Sequence, residues 1–521
     1  MWNPLPDTFA ISGALVYDGL GNPPAPMDLV VTDGRIASLR PDGELNLTGV
    51  YRISGTGLSL APGFIDAHSH SDTEILRAPQ ADSKISQGVT TEVTGQCGFS
   101  PGIAMRKNER ENLKGEEVGW DDLASYAVAL KRREPAVNIA SLCGHNTLRQ
   151  MVMKSEDRPP TPAELRRMQE ILQLSLRQGA AGLSSGLWYI PGKYADTSEM
   201  AELAKMLQGT GKPYVTHMRT EGDNLLESTR EAIRIAASGA GRLQISHIKT
   251  GSPKAWGLID ALLDLIGEGA RNGVQITADR YPYLYSGTGL RMILGPPYDR
   301  VANLHQVLRE SAEEREKLVA LLETPGWPLV PFDRTIISNS GLPENAGFLG
   351  LTLVEIGKRL GISPARACVK FLTEEAYVYT AFGRMNAANL ERFLALDWVA
   401  CGSDAAAYPF DFSQGRAHPR AFGSFPRFFQ AVKKSCGPAA AIRRMTSLAA
   451  AIYNLPKRGV LREGYHADLV LFNEDTFVDR ADFVNPHTIC EGVHSVFVNG
   501  KLAFTGDDPE KRGRHGDFLR V

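Results

Sequence analysis

The sequence predicts an α/β protein: a (β/α)8 barrel with a small β-sandwich domain built from both chain ends and an insertion over the barrel mouth. Three observations lead there. Eight short apolar runs alternate with longer helical stretches through the middle of the chain. The two ends alternate β-rich runs with turn signals instead. Between residues 290 and 345 both rhythms break.

At the start, "FAISGALVYDGLGNPPAPMDLVVTDGRIASLR" places short β-rich runs around "DGLGN" and "TDG". At the end, "ADLVLFNEDTFV" and "VHSVFVNGKLAFTG" do the same, the latter around "NG". Neither end has enough apolar surface to fold alone, so residues 1–60 and 455–521 are expected to form one composite, mainly antiparallel domain. Residues 61–454 remain for the barrel.

Its candidate strands, in order, are "GFIDAH", "TTEVTG", "NIASLCG", "AGLSSGL", "YVTHMR", "LQISHIK", "VQITAD" and "DWVACGSD". Stretches such as "TPAELRRMQEILQLSLRQ" and "LLESTREAIRIAASG" between them carry helical periodicity. "GPPYDRVANLHQ" and "TPGWPLVPFDRTIISNS" fall in the insertion expected over 290–345.

A chain of 521 residues can hold a large barrel and an accessory domain. Apolar residues at 43% and charged residues at 22% are those of a soluble globular protein. A net charge of -2, with no basic tract or acidic tail, argues against nucleic acid or an anionic membrane as partner. The N-terminus lacks a basic start and apolar run, and no window approaches the ~18 to 20 apolar residues of a membrane span. The six cysteines are scattered without a CxxC pair, so no disulfide framework is expected. These features predict a cytoplasmic enzyme with reduced thiols, monomeric or homo-oligomeric, acting on a small molecule.

Barrel enzymes place their chemistry at the C-terminal ends of the strands. The first predicted strand ends in "DAHSHSD", where His68 and His70, two apart, share a side. The second runs into "GQCG" with Cys97, the fifth ends with His217, the sixth with His247 and Lys249, and the eighth with Asp404. Singly, each has a bland explanation. A strand histidine is usually structural, a buried cysteine is usually an inert small hydrophobe, and an Asp after Ser can cap a helix. Together, four of eleven histidines, one cysteine and one aspartate fall at the same end of five strands. Imidazole, thiolate and carboxylate are the ligand types of zinc.

With "APGFIDAHSHSD", "YVTHMR", "LQISHIK" and "CGSD" in these places, the chain resembles the amidohydrolase superfamily. Within it the chain is most similar to the D-aminoacylase (N-acyl-D-amino-acid deacylase) family, over nearly its whole length, through "VTTEVTGQCGFSP", "NIASLCGHNTLR", "GLSSGLWYIPGKYA", "DRYPYLYSGT" and "AHPRAFGSFPRFF". The resemblance implies a TIM-like barrel and a zinc site of Cys97, His217 and His247. It also implies a second, weaker metal position at His68 and His70, and Asp404 as catalytic acid and base. Lys249, Tyr283 and Arg420 match positions that hold the substrate carboxylate. The implied reaction is hydrolysis of the amide bond of N-acyl-D-amino acids.

The chain also departs from that pattern. Ala405 replaces a usual glycine, and the stretch from Asp404 to "HPR" is longer than usual. "YLYSGTGL" replaces an "AGST"-like stretch, which either removes a serine contact or shifts it to Ser286 or Thr288, and the tail "KRGRHG" lacks a usual Pro-Gly-Arg. Many binuclear relatives bridge two metals with a carboxylated lysine on the fourth strand. "AGLSSGL" has none, and the Cys97 thiolate can supply the missing anion. That favours one tight zinc and at most a second loosely held metal.

His145, at another strand end, is a candidate to contact the metal region or orient a ligand, with a purely structural role as its alternative. Arg219 and Glu221 are placed to pair behind His217. Trp188 and Tyr189 are read as pocket wall, and His305 and His494 as ordinary residues. Arg291 is a candidate to meet an acidic substrate side chain; Leu290, Met292 or Trp188 would meet an apolar one. Two competing functions are a cyclic amidohydrolase of hydantoinase or dihydroorotase type, which usually carries the fourth-strand lysine, and a non-catalytic, assembly-forming relative.

Overall fold

Eight parallel strands form the centre of the computed structural model, which describes residues 5–101, 111–113, 116–295, 297–298, 301 and 303–521. In chain order they are Phe64–Asp66, Val89–Thr94, Asn138–Ser141 continuing as Cys143–Gly144, Leu183–Gly186, Tyr214–His217, Arg242–Ile245, Gln275–Arg280 and Val399–Cys401. Each lies within or overlaps one of the eight predicted runs. The third strand is interrupted at Leu142; its first half pairs with the second strand and its second half with the fourth. The barrel closes where Ala67 N donates to Cys401 O (3.1 Å) and Asp404 N to His68 O (2.8 Å). Nearly every strand residue is buried, as expected of a parallel sheet covered on both faces.

The helix Pro162–Arg177 shows how the sequence sets the outer layer. Thr161 Oγ1 accepts from Glu164 N (3.3 Å), the Glu164 carboxylate accepts from Thr161 N (2.7 Å), and proline occupies the first turn. Met168, Leu172 and Ser175 are its buried face, spaced by four and three residues. Burial of each of the two large apolar side chains contributes about 1.5–3 kcal/mol. At the N-terminal end of the barrel, Ile65, Val93, Val215 and Ala400 join Leu448, Tyr453 and Leu519 in one apolar cluster, which plugs that end.

The two chain ends share one eight-stranded sheet, joined where Ser59–Pro62 pairs with Leu469–Phe472. Alternate residues Phe9, Ile11, Leu29, Val31, Leu469 and Leu471 fill its apolar interior with Phe497. Two pairings depart from the expected antiparallel pattern: Thr8–Val16 runs parallel to both Tyr51–Ser54 and Ser59–Pro62. A bulge between Ile11 and Ala14, at Gly13, makes room for the change of partner along that strand. The final residues leave this sheet, and Leu519 N donates to Ile139 O (2.7 Å) at the third barrel strand.

Between the seventh and eighth barrel strands the chain builds a three-stranded antiparallel sheet of Tyr285–Gly289, Tyr379–Gly383 and Thr335–Asn339. With the helices Leu304–Glu310, Ala312–Leu322, Leu353–Leu360 and Pro364–Glu374 it surrounds a second core running from Leu290 to Phe382. The excursion thus extends beyond the predicted 290–345, because "LVEIGKRL" and "YTAFG" have the same periodicity as barrel elements. Positions 296, 299, 300 and 302 of the expected insertion lie outside the described residues. Among the described residues, no helix is long and apolar enough to cross a membrane.

Candidate metal centre

At the C-terminal end of the barrel, three residues adopt left-handed backbone: Cys97 (φ 52°), His247 (φ 37°) and Asp404 (φ 52°). Such conformations cost of order 1–3 kcal/mol each and cluster where side chains must be aimed against backbone preference. Here they turn the chain sharply off the second, sixth and eighth strands. The Cys97 turn is anchored by the fourth strand: Gly98 N donates to Ser184 Oγ (3.1 Å), and Ser184 Oγ donates to Gly95 O. Gly98 itself has φ +82°, and a Cβ there would collide with Asn146.

Cys97 Sγ lies 3.5 Å from His68 Nε2, 3.7 Å from His217 Nδ1 and 3.5 Å from His247 Nε2, all deeply buried. Two ligand trios share it: Cys97, His217 and His247, and Cys97, His68 and His70. A tetrahedral zinc with Zn–S of about 2.3 Å and Zn–N of about 2.0–2.1 Å holds sulfur and nitrogen about 3.6 Å apart. The observed separations meet that requirement. The donor chemistry agrees, since three protein ligands leave the open position of a catalytic zinc.

The electrostatics make the same demand. Burial pushes the Cys97 thiol up, but the imidazoles, His68 first, more than reverse this and hold it well below its ordinary value. Burial also raises Asp404, and Arg420 followed by His247, His70 and His68 brings it well below the carboxylate range. Burial lowers His70, yet Asp404 and Cys97 lift it to about 9. The imidazoles and Arg420 thus favour the anionic thiolate and carboxylate, the forms in which these groups would bind a metal ion.

The surrounding carboxylates orient the ligands. Glu221 Oε1 lies 2.9 Å from His247 Nδ1 and 2.6 Å from Lys249 Nζ, and its Oε2 lies 4.0 Å from His217 Nε2. Asp279 Oδ1 lies 3.1 Å from His68 Nδ1 and accepts from His247 N (2.8 Å). His68, His217 and His247 thus each present one ring nitrogen to the cluster and the other to a carboxylate. Glu221 is signalled by its position four residues after His217. Asp279 and Tyr281, at the end of the seventh strand, were not among the predicted site residues; the polar run "ADRY" at a strand end is the signal that could have found them.

Below the histidines lies fully buried Lys84. Its Nζ donates to Asp66 Oδ2, Ser403 Oγ and Ala405 O, all at 2.8 Å, and sits 3.4 Å from Glu92. Glu92 in turn accepts from Ser69 and Ser71. This network ties the loop carrying His68 and His70 to the loop carrying Asp404.

The cluster opens into a cavity of about 430 Å³ beneath the inserted sheet. Asp404 Oδ1 lies 3.0 Å from His70 Nε2, and Oδ2 accepts from Arg420 Nη1 (2.7 Å). The longer loop between Asp404 and Arg420 therefore still delivers the arginine. Ser286, Thr288, Lys249, Trp188, Tyr189 and Met292 line the cavity as expected. Lys249, however, already donates to Glu221 (2.6 Å).

Three expected placements, Tyr283, Arg219 and Arg291, are corrected, and His145 takes the structural role that was its alternative. Tyr283 turns away from the cavity, and its hydroxyl donates to Asp479 (2.8 Å). The first tyrosine of "YPY", Tyr281, lines the cavity instead; its buried hydroxyl has no partner among the described residues, and Arg420 stacks 4.7 Å over its ring. His145 starts the helix His145–Val152 and points to Glu199 (2.7 Å), which also pairs with Arg149. That buried trio joins two helices and leaves His145 out of the metal cluster. Arg219 pairs with Glu231 (2.9 Å) and donates to Lys193 O and Ala195 O, holding a loop. Arg291 donates to Val301 O (3.0 Å) and does not line the cavity.

Residues 53–332 match the amidohydrolase family. An N-acyl-D-aspartate deacylase of Alcaligenes xylosoxydans xylosoxydans is 33% identical over 511 residues, covering 96% of this chain and 92% of the relative. The structure of an N-acyl-D-glutamate deacylase of Bordetella bronchiseptica, complexed with zinc and a phosphonate mimic of the tetrahedral intermediate, matches with a TM-score of 0.81 and 30% identity over 98% of this chain and 99% of that one. A D-aminoacylase with a binuclear metal centre, described as showing one-metal activation and second-metal attenuation, matches with a TM-score of 0.80 and 30% identity over 99% of this chain and 100% of that one.

Proposed function

The chain belongs to the amidohydrolase family, and we propose that it hydrolyses N-acyl-D-amino acids with a zinc ion held by Cys97, His217 and His247. The observation that carries this reading is the cysteine sulfur 3.5–3.7 Å from the two imidazole nitrogens of that trio, at the open end of a barrel. The metal supplies Lewis acidity to the scissile carbonyl and to the attacking water.

The remaining work falls to the chain's own groups. Asp404 is held ionised by Arg420 and can accept the water proton on Oδ1. It then delivers that proton to the departing amine nitrogen, so one carboxylate serves as base and acid in turn. Arg420, Tyr281 and the hydroxyls of Ser286 and Thr288 face the cavity and receive the substrate carboxylate. With the carboxylate and the amide both fixed, the α-carbon side chain of one enantiomer points into the cavity and that of the other into its wall. The inserted sheet covers the cavity and limits water entry.

His68 and His70, with Cys97, form the weaker second site. Filling it would take His70 Nε2 from its 3.0 Å contact with Asp404 and disturb the proton carrier, which accounts for a preference for one metal. Cyclic amides are disfavoured, because the fourth strand, Leu183–Gly186, has no lysine and spends Ser184 on anchoring the Cys97 turn. The test is a screen of N-acetyl-D- and L-amino acids and hydantoins against enzyme loaded with one equivalent of zinc. Turnover of the D-series alone is expected; turnover of hydantoins alone would overturn the reading.

A further inference from the structure

One fully buried cation takes no part in the proposed proton transfers or in holding substrate. Lys84, Asp66 and Glu92 are all 0% exposed. The Lys84 ammonium lies 2.8 Å from Asp66 Oδ2 and 3.4 Å from Glu92 Oε2. Burial opposes its charge, but Asp66 and then Glu92 more than restore it, so its pKa stands above the ordinary lysine value. The group is a fixed positive charge inside the barrel.

Its placement favours one metal position over the other. Nζ lies 3.5 Å from Ser69 Oγ, in the residue between His68 and His70. It donates to Ser403 Oγ and Ala405 O, in the residues on either side of Asp404. Asp66 Oδ1 accepts from His68 N (3.2 Å) and Ser403 N (2.8 Å), and Glu92 Oε2 accepts from Ser71 Oγ (2.5 Å), next to His70. Among the described residues, no side-chain hydrogen bond of this trio reaches His217, His247 or the turns that carry them. A divalent ion at His68 and His70 would therefore be held by the loop that Lys84 backs. The trio of Cys97, His217 and His247 takes two of its three ligands from strands outside this network. Without Lys84, Asp66 and Glu92 would present uncompensated negative charge to the His68–His70 loop and draw a cation toward it.

We propose that Lys84 is a positioning residue that keeps the centre at one metal: its ammonium is the internal counter-ion of Asp66 and Glu92, in place of a second divalent ion near His68 and His70. The inference rests on the two metal positions of the reading above, and not on the identity of the substrate.

The test is a competitive chelator titration of the one-zinc holoenzyme that reads the first and second zinc Kd separately. Lys84→Met should tighten the second zinc by about 10- to 100-fold, the usual reach of groups behind a metal ligand, and leave the first within about threefold. Glu92→Gln keeps the Lys84–Asp66 pair and should weaken the second zinc by a similar factor. Lys84→Met combined with Glu92→Gln should return it to near the wild-type value, because one charge of each sign is removed. These opposite signs separate a charge effect from a structural one, since removing a merely structural lysine would weaken both zinc ions. If Lys84→Met fails to fold, Glu92→Gln carries the test alone. A second zinc Kd that is unchanged or weaker in Lys84→Met, or unchanged or tighter in Glu92→Gln, would overturn the inference. Zinc constants that shift as described in a chain that turns over no N-acyl-D-amino acid would overturn the deacylase reading alone. A wild-type chain that binds no zinc would overturn both.

Discussion

Replacing Glu221 by glutamine tests the support of the metal site with minimal change of shape. The carboxylate oxygen Oε1 serves two partners at once, Lys249 Nζ at 2.6 Å and His247 Nδ1 at 2.9 Å. Glutamine preserves the volume but removes the charge and offers at most one good acceptor. Loss of a carboxylate behind a ligating imidazole typically costs 10- to 100-fold in metal affinity, or about 1.4–2.8 kcal/mol. Lys249, only 5% exposed, would also lose its counter-ion, and breaking a buried pair from one side costs about 3–5 kcal/mol. The two effects separate in a double-mutant comparison. Glu221→Gln with Lys249→Met should recover most of the stability but little of the zinc affinity. Competitive titration of zinc against a chromophoric chelator, with denaturant unfolding of the metal-free proteins, measures both. A zinc Kd within twofold of wild type in Glu221→Gln would refute the argument that this carboxylate orients the histidines.

Three further predictions follow from the same geometry. Asp404→Asn should bind zinc normally and lose about 10²–10⁴-fold in kcat; near-normal kcat in steady-state assays would remove Asp404 from its role. Tyr281→Phe should lower kcat/KM about tenfold, whereas Tyr283→Phe should leave the kinetics unchanged and lower only the unfolding midpoint. Half-buried His466 has its pKa lowered to about 4, by burial first and the Arg458 charge next. Because the unfolded chain then binds more protons between pH ~6.5 and ~4, stability present above pH 6.5 is lost as pH falls through that window. Partial exposure reduces the loss to roughly 1–2 kcal/mol; His466→Asn should flatten this part of the stability–pH curve measured by denaturant unfolding.

The barrel was legible because its strands are short, buried on both sides and separated by well-capped helices such as Pro162–Arg177, each a local signal. The ligand set was legible for a related reason. His68, Cys97, His217, His247 and Asp404 are polar residues where buried strands end, and one end of a barrel brings such positions together. What failed depended on side-chain direction. Tyr281 and Tyr283 are two apart and look equivalent in sequence, but only the fold shows Asp479 drawing Tyr283 away. His145 also sits at a strand end, yet Glu199, contributed by a later helix, captures it. Arg291 falls in the inserted region, and only the fold shows the Val301 carbonyl that draws it away from the cavity. The extent of that region was hidden because its helices and strands repeat the periodicity of the barrel.

The central claim is that Cys97 and two histidines hold the zinc. X-ray absorption at the zinc edge of enzyme loaded with one equivalent measures this directly. The geometry predicts one sulfur at about 2.3 Å together with nitrogen and oxygen neighbours at about 2.0–2.1 Å, with the sulfur contribution missing from Cys97→Ala. A shell of nitrogen and oxygen alone in the wild-type protein would contradict it.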